Sequence, residues 1–250
     1  MSRVIVSILS AASKEMWNFM ELTARNRQEY AMKHQYQLFL RRYIDIFHFP
    51  EERITNMIDA LKQTDYLLSM GVDTLFTNFN IRIDSLIIQN PTADIILSND
   101  VNGLNNDIMI LRNSRVTNLF LRSIVGTLDE YDQDQEAMAT LIPMMPGLKV
   151  AEIPQKQMNA MPYWLYHYKN DNGGTWQKGD FIFHAPGISF ENRMKVMKDV
   201  LKQVVKGVPN KLIEKDTTRV DKPYKEDIAM VTIKDEGGQI SVEPVKKEGK

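Results

Sequence analysis

Two side chains suited to metal binding stand directly after apolar, strand-like runs of the sequence. Asp73 follows Asp65–Met70 and the dipeptide Gly71-Val72, and His184 closes the run Phe181–His184. Ligands of open α/β sheets bind at the carboxyl ends of strands, so both side chains are candidates for one edge of a sheet. A carboxylate and an imidazole at that edge could bind a divalent metal ion. Taken separately, a turn-capping Asp73 and a hydrogen-bonded edge residue His184 are the more common outcomes.

A polar segment, Asn99–Asp107, offers groups that could bind a sugar. Seven of its nine residues are Asn, Asp or Gly, and the apolar run Ile108–Leu111 follows at once. Side-chain amides and carboxylates hydrogen-bond hydroxyl-rich ligands, which favours a sugar-binding loop at the edge of a strand. The alternative is an ordinary surface loop with Asx turns. A second polar pair, Asp134-Gln135, begins a predicted helix.

The elements that would position these residues alternate between strand and helix, which predicts an α/β fold with a mostly parallel central sheet. Short β-branched and apolar runs predict strands over Arg3–Leu9, Gln37–Phe39, Asp65–Met70, Ile95–Ser98, Ile108–Leu111 and Phe181–His184. Apolar residues at helical spacing predict helices after Ser13, from Phe49-Pro50, and over Ser114–Gly126, Asp134–Leu141 and Phe190–Val205.

The composition changes after Gly207-Val208-Pro209, where Lys, Asp, Glu and Thr become frequent. We therefore predict one domain over residues 1–209 and a charged C-terminal extension over residues 210–250. Within the extension, Ile228–Lys234 and Gln239–Glu243 show period-two patterns on either side of Gly237-Gly238. Such a pattern predicts a β-hairpin or a strand added to a sheet edge.

The overall composition excludes several classes of protein. The 250 residues contain 31 basic and 32 acidic side chains, so a protein that coats polyanions is excluded, although a local basic patch is not. With no Cys in the chain, disulfides, Cys-ligated metals and a Cys nucleophile are excluded. No apolar stretch reaches the length of a membrane span, which predicts a soluble protein of a reducing compartment.

The order of several short motifs resembles that of a known family. The motifs are Tyr30-Ala31 with His34-Gln35-Tyr36, Met70–Asn78, Asp100 with Asn102–Asn105, Arg112-Asn113-Ser114, Asp134-Gln135, and His184 with Gly187. Each motif is weak alone, but their common order over residues 1–205 is more specific. On these residues the chain resembles the glycosyltransferase family of fungal Golgi galactosyl- and mannosyltransferases and plant xyloglucan xylosyltransferases.

The resemblance implies a single Rossmann-like domain of the GT-A type, a divalent metal (Mn²⁺ or Mg²⁺) and a nucleotide-sugar donor. Asp73 looks like the second acid of the family's Asp-x-Asp motif, and His184 looks like its C-terminal metal ligand. The resemblance further assigns donor binding to Gly71, Val72, Asp73, Asn102, Asn105 and Gly187, and the reacting centre to Asp134 and Gln135.

Two departures from the family pattern stand out. Gly71 replaces the first acid of the Asp-x-Asp motif, and Asn106-Asp107 replaces a small residue and a Gly after the Leu-Asn pair. The first departure bears on metal binding, because Asp73, His184, two diphosphate oxygens and water would have to complete an octahedral shell. The second predicts a changed sugar or acceptor pocket.

The resemblance implies a metal-dependent, retaining transfer of a sugar from a nucleotide-sugar, expected to be a UDP-sugar, to a hydroxyl group, with a glycan as the first choice of acceptor. One alternative is transfer to hydroxymethylated bases of viral DNA. Its phosphate contacts would come from basic side chains that could equally form a solvated surface, namely Arg41, Arg42, Lys195, Lys198, Lys202 and Lys206.

A third candidate function is a catalytically silent module that binds nucleotide-sugars. Family members of the secretory pathway carry an N-terminal membrane anchor, and none is evident in this sequence. We therefore expect a cytoplasmic protein of a bacterium or of a virus-infected cell.

Overall fold

The apolar runs of the sequence form the strands of a central sheet in the computed structural model. The model describes residues 4–13, 16–42, 49–100, 102–131, 133–162, 173–207, 232–233 and 242–243. Its strands are β1 (Val6–Ala12), β2 (Gln37–Arg42), β3 (Tyr66–Met70), β4 (Thr74–Phe76), β5 (Ile95–Asp100), β6 (Gly103–Arg112), β7 (Val150–Glu152), β8 (Ile182–His184), β9 (Thr232–Ile233) and β10 (Val242–Glu243).

Helices follow most of these strands. They are α1 (Trp17–His34), α2 (Phe49–Leu61), α3 (Ile83–Gln89), α4 (Arg115–Thr127), α5 (Asp134–Leu141), α6 (Gln155–Met158) and α7 (Phe190–Leu201). Local chemistry explains where several of them begin. In α2, Pro50 and two acids occupy the first turn, and in α4 the Ser114 side chain accepts a hydrogen bond from the Thr117 backbone N–H at 3.2 Å. No helix among the described residues is long and apolar enough to cross a membrane.

Six strands form the sheet in the order β2-β1-β3-β6-β5-β7. The pairs β1–β2, β1–β3 and β5–β7 are parallel, whereas β6 runs antiparallel to both of its neighbours. The predicted α/β class with a mostly parallel sheet is thus confirmed. Because β6 is reversed, its amino-terminal half lies beside the carboxyl end of β3.

Side chains of both faces of the sheet are buried. Leu68, Ile96 and Ile110 face a cluster that contains Tyr30 and Ala31 of α1. The neighbours Leu67, Leu97 and Leu111 face the opposite cluster, which is built from α2, α4 and α5. Burial on both faces explains why these strands are continuous apolar runs rather than alternating ones.

A two-stranded ribbon lies beyond the end of β3. In it β4 pairs antiparallel with β8, and Thr74 stands opposite His184. The Ala185 backbone N–H also donates to the carbonyl oxygen of Asp73 at 3.0 Å. This pairing joins two segments that are more than a hundred residues apart in the chain, and it sets Asp73 beside His184.

Two predicted boundaries are wrong. The segment 99–107 is not a loop, because Asn99 and Asp100 end β5 and Gly103 begins β6. The Asp100 carboxylate accepts from the Asn102 backbone N–H at 2.7 Å and closes a tight hairpin turn. Helix α7 ends at Leu201 rather than Val205, since Val205 leaves the helix and bridges to Asn78.

The chain divides into two compact units, Met1–Lys206 and Gly207–Lys250. In the second unit the described residues form an antiparallel pair, with Ile233 opposite Val242 and Thr232 opposite Glu243. These two strands lie in the segments for which the sequence predicts a hairpin. The predicted turn at Gly237-Gly238 lies outside the described residues.

Candidate metal and donor site

Asp73, Asp107 and His184 converge at the carboxyl end of β3. Each offers one ligand atom, and the three atoms lie within 4.8 Å of one another. The Nε2 atom of His184 is 3.2 Å from Oδ2 of Asp107 and 3.6 Å from Oδ1 of Asp73. Ligands that share an octahedral cation lie about 3 to 4 Å apart, since each is about 2.0–2.1 Å from the ion. A small rearrangement of these side chains would therefore place all three around one ion.

The imidazole of His184 is held in the orientation that a metal ligand needs. The side chain is fully buried, and its Nδ1 lies 2.7 Å from Oδ1 of the equally buried Asn159. An Nδ1–H that donates to this amide oxygen leaves the lone pair on Nε2. In the described part of the chain Nε2 makes no hydrogen bond of acceptable geometry, although it points between the two carboxylates. A buried polar atom of this kind fits a cation site.

The carboxylates beside His184 change the pKa of its imidazole. Burial by itself lowers the pKa of His184, but the nearby carboxylates of Asp107 and Asp73 outweigh it and raise the pKa to about 9. Burial raises the pKa of Asp107, yet His184 and Arg53 bring it well below its usual range. Without a cation, the two carboxylates thus favour the protonated form of the ring. A divalent cation at the same point would take the place of that proton.

Two arginines complete the electrostatics of the cluster. Nη1 of Arg193, from α7, lies 3.2 Å from Oδ2 of Asp73. Nη2 of Arg53, from α2, lies 3.3 Å from Oδ1 of Asp107. Each acid therefore has one oxygen turned toward a guanidinium and the other toward His184. Both arginines also bind backbone oxygens, that of Ile188 for Arg193 and that of Asn106 for Arg53, which fixes their positions.

The acid Asp134 lies close to the cluster through Arg53. Its Oδ2 is 3.1 Å from Nη1 of Arg53, and its side chain is only 6% exposed. The neighbouring Gln135 accepts a hydrogen bond from the Asn106 backbone N–H at 3.4 Å. The structure thus places both residues that the resemblance assigns to the reacting centre against the β6 segment that carries Asp107.

The residues that the resemblance assigns to donor binding divide into two groups. Gly71 and Val72 directly precede Asp73 and line a cleft with Ser13, at the end of β1, and with Phe49. This cleft lies at the carboxyl ends of β1 and β3, which is where open α/β sheets bind ligands. The other residues of the set, Asn102, Asn105 and Gly187, lie in turns or form hydrogen bonds within the protein.

Asn102 is exposed in the turn of the β5–β6 hairpin. It precedes Asp107 by five positions along the extended chain, which span about 16 Å. The Asn105 side chain is buried, and its amide binds the Asp100 carboxylate at 2.9 Å. Gly187 follows β8 in a turn and has a φ of 66°, a left-handed conformation that favours Gly. Neither Asn102 nor Gly187 contributes to the cluster of metal-ligating atoms.

The basic side chains considered for DNA binding are partly engaged with the protein. Lys202 pairs with Asp199 at 2.8 Å, and Lys206 pairs with Glu29. The guanidinium of Arg41 lies 5.8 Å from the ring centre of Phe39. Lys195 and Lys198 are exposed on α7. The side chain of Arg42 lies outside the described part. The four lysines of this set are solvent-exposed.

Two residues that the structure brings to Asp73 were not predicted there. Asp107 was predicted to lie in a loop, so its place beside Asp73 was missed. Arg27 is completely buried on α1, and its Nη2 donates to the carbonyl oxygens of Gly71 at 2.7 Å and Thr74 at 3.2 Å. Burial lowers the pKa of Arg27 to about 9, against the opposing effect of Asp73. Arg27 lies four residues after Thr23 and three before Tyr30, both of which are buried on α1. This helical spacing is the sequence signal that could have indicated the burial of Arg27.

Comparison with known proteins supports the resemblance inferred from the motifs. No protein-family model matches the chain. A probable alpha-1,2-galactosyltransferase of Schizosaccharomyces pombe is 24% identical, over 70% of this chain and 62% of that protein. The chain thus spans less than two thirds of that relative's length. The resemblance of the sequence to glycosyltransferases is confirmed by this match.

A solved structure shares the fold. It is described as a glycosyltransferase involved in the glycosylation of the major capsid of PBCV-1, and it superposes with a TM-score of 0.63. The match covers 78% of this chain and 99% of that one at 15% sequence identity. The predicted GT-A fold is therefore confirmed for the part of the chain that matches.

Proposed function

We propose that the chain is a metal-dependent, retaining glycosyltransferase that moves a sugar from a UDP-sugar to a hydroxyl group of a glycan. The observation that supports it best is the convergence of Asp73, Asp107 and His184 beside a cleft at the carboxyl edge of the sheet. The similarity to a galactosyltransferase and the shared glycosyltransferase fold support it independently.

The donor atoms favour Mn²⁺ as the cation. Two carboxylates and water suit Mg²⁺ and Mn²⁺, whereas an imidazole suits transition metals. A set that combines both, as Asp73, Asp107 and His184 do, points to Mn²⁺ before Mg²⁺. A divalent cation held there would stabilise the negative charge that develops on a nucleoside diphosphate leaving group.

The chain's own residues would bind and orient the donor around that site. The cleft between Ser13, Phe49 and Gly71 would hold the nucleoside, since it opens at the ends of β1 and β3. Arg193 of α7 pairs with Asp73, and Arg53 of α2 pairs with Asp107. Guanidinium groups bind phosphate oxygens well, and the diphosphate would find both of them beside the cation.

Asp134 would act by position and charge rather than as a nucleophile. Its carboxylate is buried and paired with Arg53 at 3.1 Å, and a carboxylate held in such an ion pair keeps its charge but is a poor nucleophile. A fixed negative charge near the donor sugar would stabilise an oxocarbenium-like transition state. Retention of configuration then follows if the acceptor hydroxyl attacks from the face of the leaving group. Gln135 would help to position the acceptor.

A glycan acceptor is preferred over DNA. Two of the lysines that a DNA contact would use are paired with Asp199 and Glu29. The cytoplasmic location and a viral or bacterial source remain predictions of the sequence.

Calorimetric titration of UDP, with and without Mn²⁺, tests the proposed function against a silent binding module. We expect UDP to bind at least about tenfold more tightly with Mn²⁺. We also expect a panel of UDP-sugars to include one that is hydrolysed slowly in water. The variant Asp73→Asn should lose both effects, whereas Asp59→Asn, an exposed acid of α2, should lose neither. If UDP binds with the same affinity with and without Mn²⁺, and no donor is hydrolysed, the protein is instead a silent binding module.

A further inference from the structure

Gly71 and Asp107 face each other across the antiparallel pair β3–β6. The register runs from Tyr66 opposite Arg112 to Met70 opposite Ile108, and the next position sets Gly71 opposite Asp107. The Gly71 backbone N–H donates to the carbonyl oxygen of Asp107 at 2.9 Å, so the ladder continues to this point. Residues directly opposite each other in an antiparallel pair direct their side chains to the same face.

The Asp107 carboxylate lies in the space that a side chain at position 71 would use. A Cβ added to Gly71 would come within 3.4 Å of Cγ and Oδ1 of Asp107 and 3.1 Å of Oδ1 of Asp73. The backbone at Gly71 does not have the positive φ that excludes other residues. A side chain at position 71 would thus be limited by the carboxylates of Asp73 and Asp107 and not by the backbone conformation.

We propose that Asp107 supplies, from the facing strand, the acidic metal ligand that position 71 lacks, and that Gly71 leaves room beside this ligand. The inference rests on the proposed function, because it assigns a ligand of the same cation. A second observation, besides the cluster of acids, supports the assignment of Asp107 as a ligand. The buried Nε2 of His184 is without a hydrogen bond and points at the Asp73 and Asp107 carboxylates together.

The two departures from the family pattern are then one reciprocal exchange. An acid is missing at Gly71, a glycine is missing at Asp107, and these two positions are neighbours in space. Each change alone would damage a cation site, either by removing a ligand or by crowding it. Together they keep the number of carboxylates while moving one of them to the adjacent strand.

Exchange of the two residues tests the inference. Mn²⁺ binding is measured by electron paramagnetic resonance with UDP present, for the unchanged protein and for Asp107→Asn, Asp107→Gly and the double variant Gly71→Asp/Asp107→Gly. Asp59→Asn serves as the control for loss of one exposed negative charge. Thermal unfolding in EDTA is followed for each protein, so that loss of fold is separated from loss of a ligand.

We expect the two single variants at Asp107 to bind Mn²⁺ at least about tenfold more weakly, and the double variant to recover to within about threefold of the unchanged protein. If the double variant does not fold, Asp107→Asn still tests the inference, because it retains the shape of the side chain. Unchanged affinity in Asp107→Asn overturns the inference, as does a folded double variant no better than Asp107→Gly, or an unchanged protein that binds no Mn²⁺.

The same measurements distinguish the inference from the proposed function. Mn²⁺ that binds through Asp107, in a protein that neither binds nor hydrolyses UDP-sugars, supports the assigned ligand and contradicts the transferase. Mn²⁺-dependent hydrolysis that is unaffected in Asp107→Asn supports the transferase and overturns the assigned ligand.

Discussion

The buried amide oxygen of Asn159 accepts a hydrogen bond from Nδ1 of His184 at 2.7 Å, and this contact sets which nitrogen of the ring faces Asp73 and Asp107. Helix α6 ends one residue before Asn159, and β8 ends at His184, so the contact joins two separate elements. The orientation of the imidazole is therefore built into the fold before any cation binds.

Replacement of Asn159 by Ala should weaken Mn²⁺ binding about tenfold to a hundredfold, because the ring loses the acceptor that keeps the lone pair on Nε2. Asn159→Asp retains an acceptor oxygen at that position and should remain within about threefold of the unchanged protein. Titration of both variants with Mn²⁺ in the presence of UDP gives the comparison. Equal binding by Asn159→Ala and the unchanged protein would show that the contact does not orient the ligand.

Arg53 should stabilise the fold through Asp134. Both side chains are less than 10% exposed, and loss of one partner leaves a buried charge alone, which costs about 3–5 kcal/mol. We expect Arg53→Met to lower the free energy of unfolding by about this amount in urea titrations. The double variant Arg53→Met/Asp134→Leu removes both charges and should recover part of the loss.

The control for this prediction lies directly after the end of α2. Lys62 is 62% exposed in its side chain and pairs with Asp59, so Lys62→Met should change the free energy of unfolding by less than about 0.5 kcal/mol. If Arg53→Met lowers the free energy of unfolding no more than Lys62→Met does, the buried pair does not contribute to stability. Additive losses in the double variant would equally refute the coupling.

The role of Asp134 predicts a separation of binding from turnover. In Asp134→Asn the affinity for UDP with Mn²⁺ should stay within about threefold, while the rate of sugar transfer or donor hydrolysis falls on the order of a hundredfold. Calorimetry gives the first quantity and release of UDP the second. Glu136→Gln, an exposed position of the same helix, should change neither. A normal rate in Asp134→Asn would remove this residue from the reaction.

His34 should make the protein less stable in mild acid. Its Nε2 lies 2.8 Å from the carbonyl oxygen of Phe79 and its Nδ1 lies 3.3 Å from Nη1 of Arg82, contacts that suit the neutral ring. Burial lowers the pKa of His34, the Phe79 carbonyl raises it, and the charge of Arg82 lowers it further, for a net decrease. An unfolded His titrates near pH 6.5, so the stabilisation is complete above that pH and declines as the pH falls below it.

The difference in free energy of unfolding between the unchanged protein and His34→Gln isolates this effect, because other titrating groups cancel. The difference should favour the unchanged protein at pH 7.5 and become smaller at pH 5.5, both measured in urea with EDTA. A difference that is the same at both pH values, or larger in acid, would contradict the neutral state of the ring.

The sequence predicted that Asp73 lies at the end of a buried strand, because a continuous apolar run ends just before Gly-Val-Asp, although a turn-capping role was the more common outcome for such a residue. It also predicted His184 at the end of a strand. It could not predict how these two residues meet, since the ribbon that joins them consists of two strands of three residues each. Such short strands carry almost no periodic signal.

Asp107 was missed for a different reason. Asn, Asp and Gly are rare in strands, and so many of them in segment 99–107 indicated a loop. In the structure these side chains bind each other, as Asn105 does with Asp100, and the hairpin forms despite its composition. Its register against β3, which sets Asp107 beside Gly71, depends on the apolar residues 108–111 and on no local motif.

The most direct measurement is anomalous diffraction near the manganese absorption edge from a crystal soaked with Mn²⁺ and UDP. We predict one strong peak within bonding distance of carboxylate oxygens of Asp73 and Asp107 and of Nε2 of His184, with the UDP diphosphate on its open side and the nucleoside in the cleft beside Gly71. A peak elsewhere on the molecule, or UDP bound without an ion at these three side chains, would contradict a metal-dependent transferase.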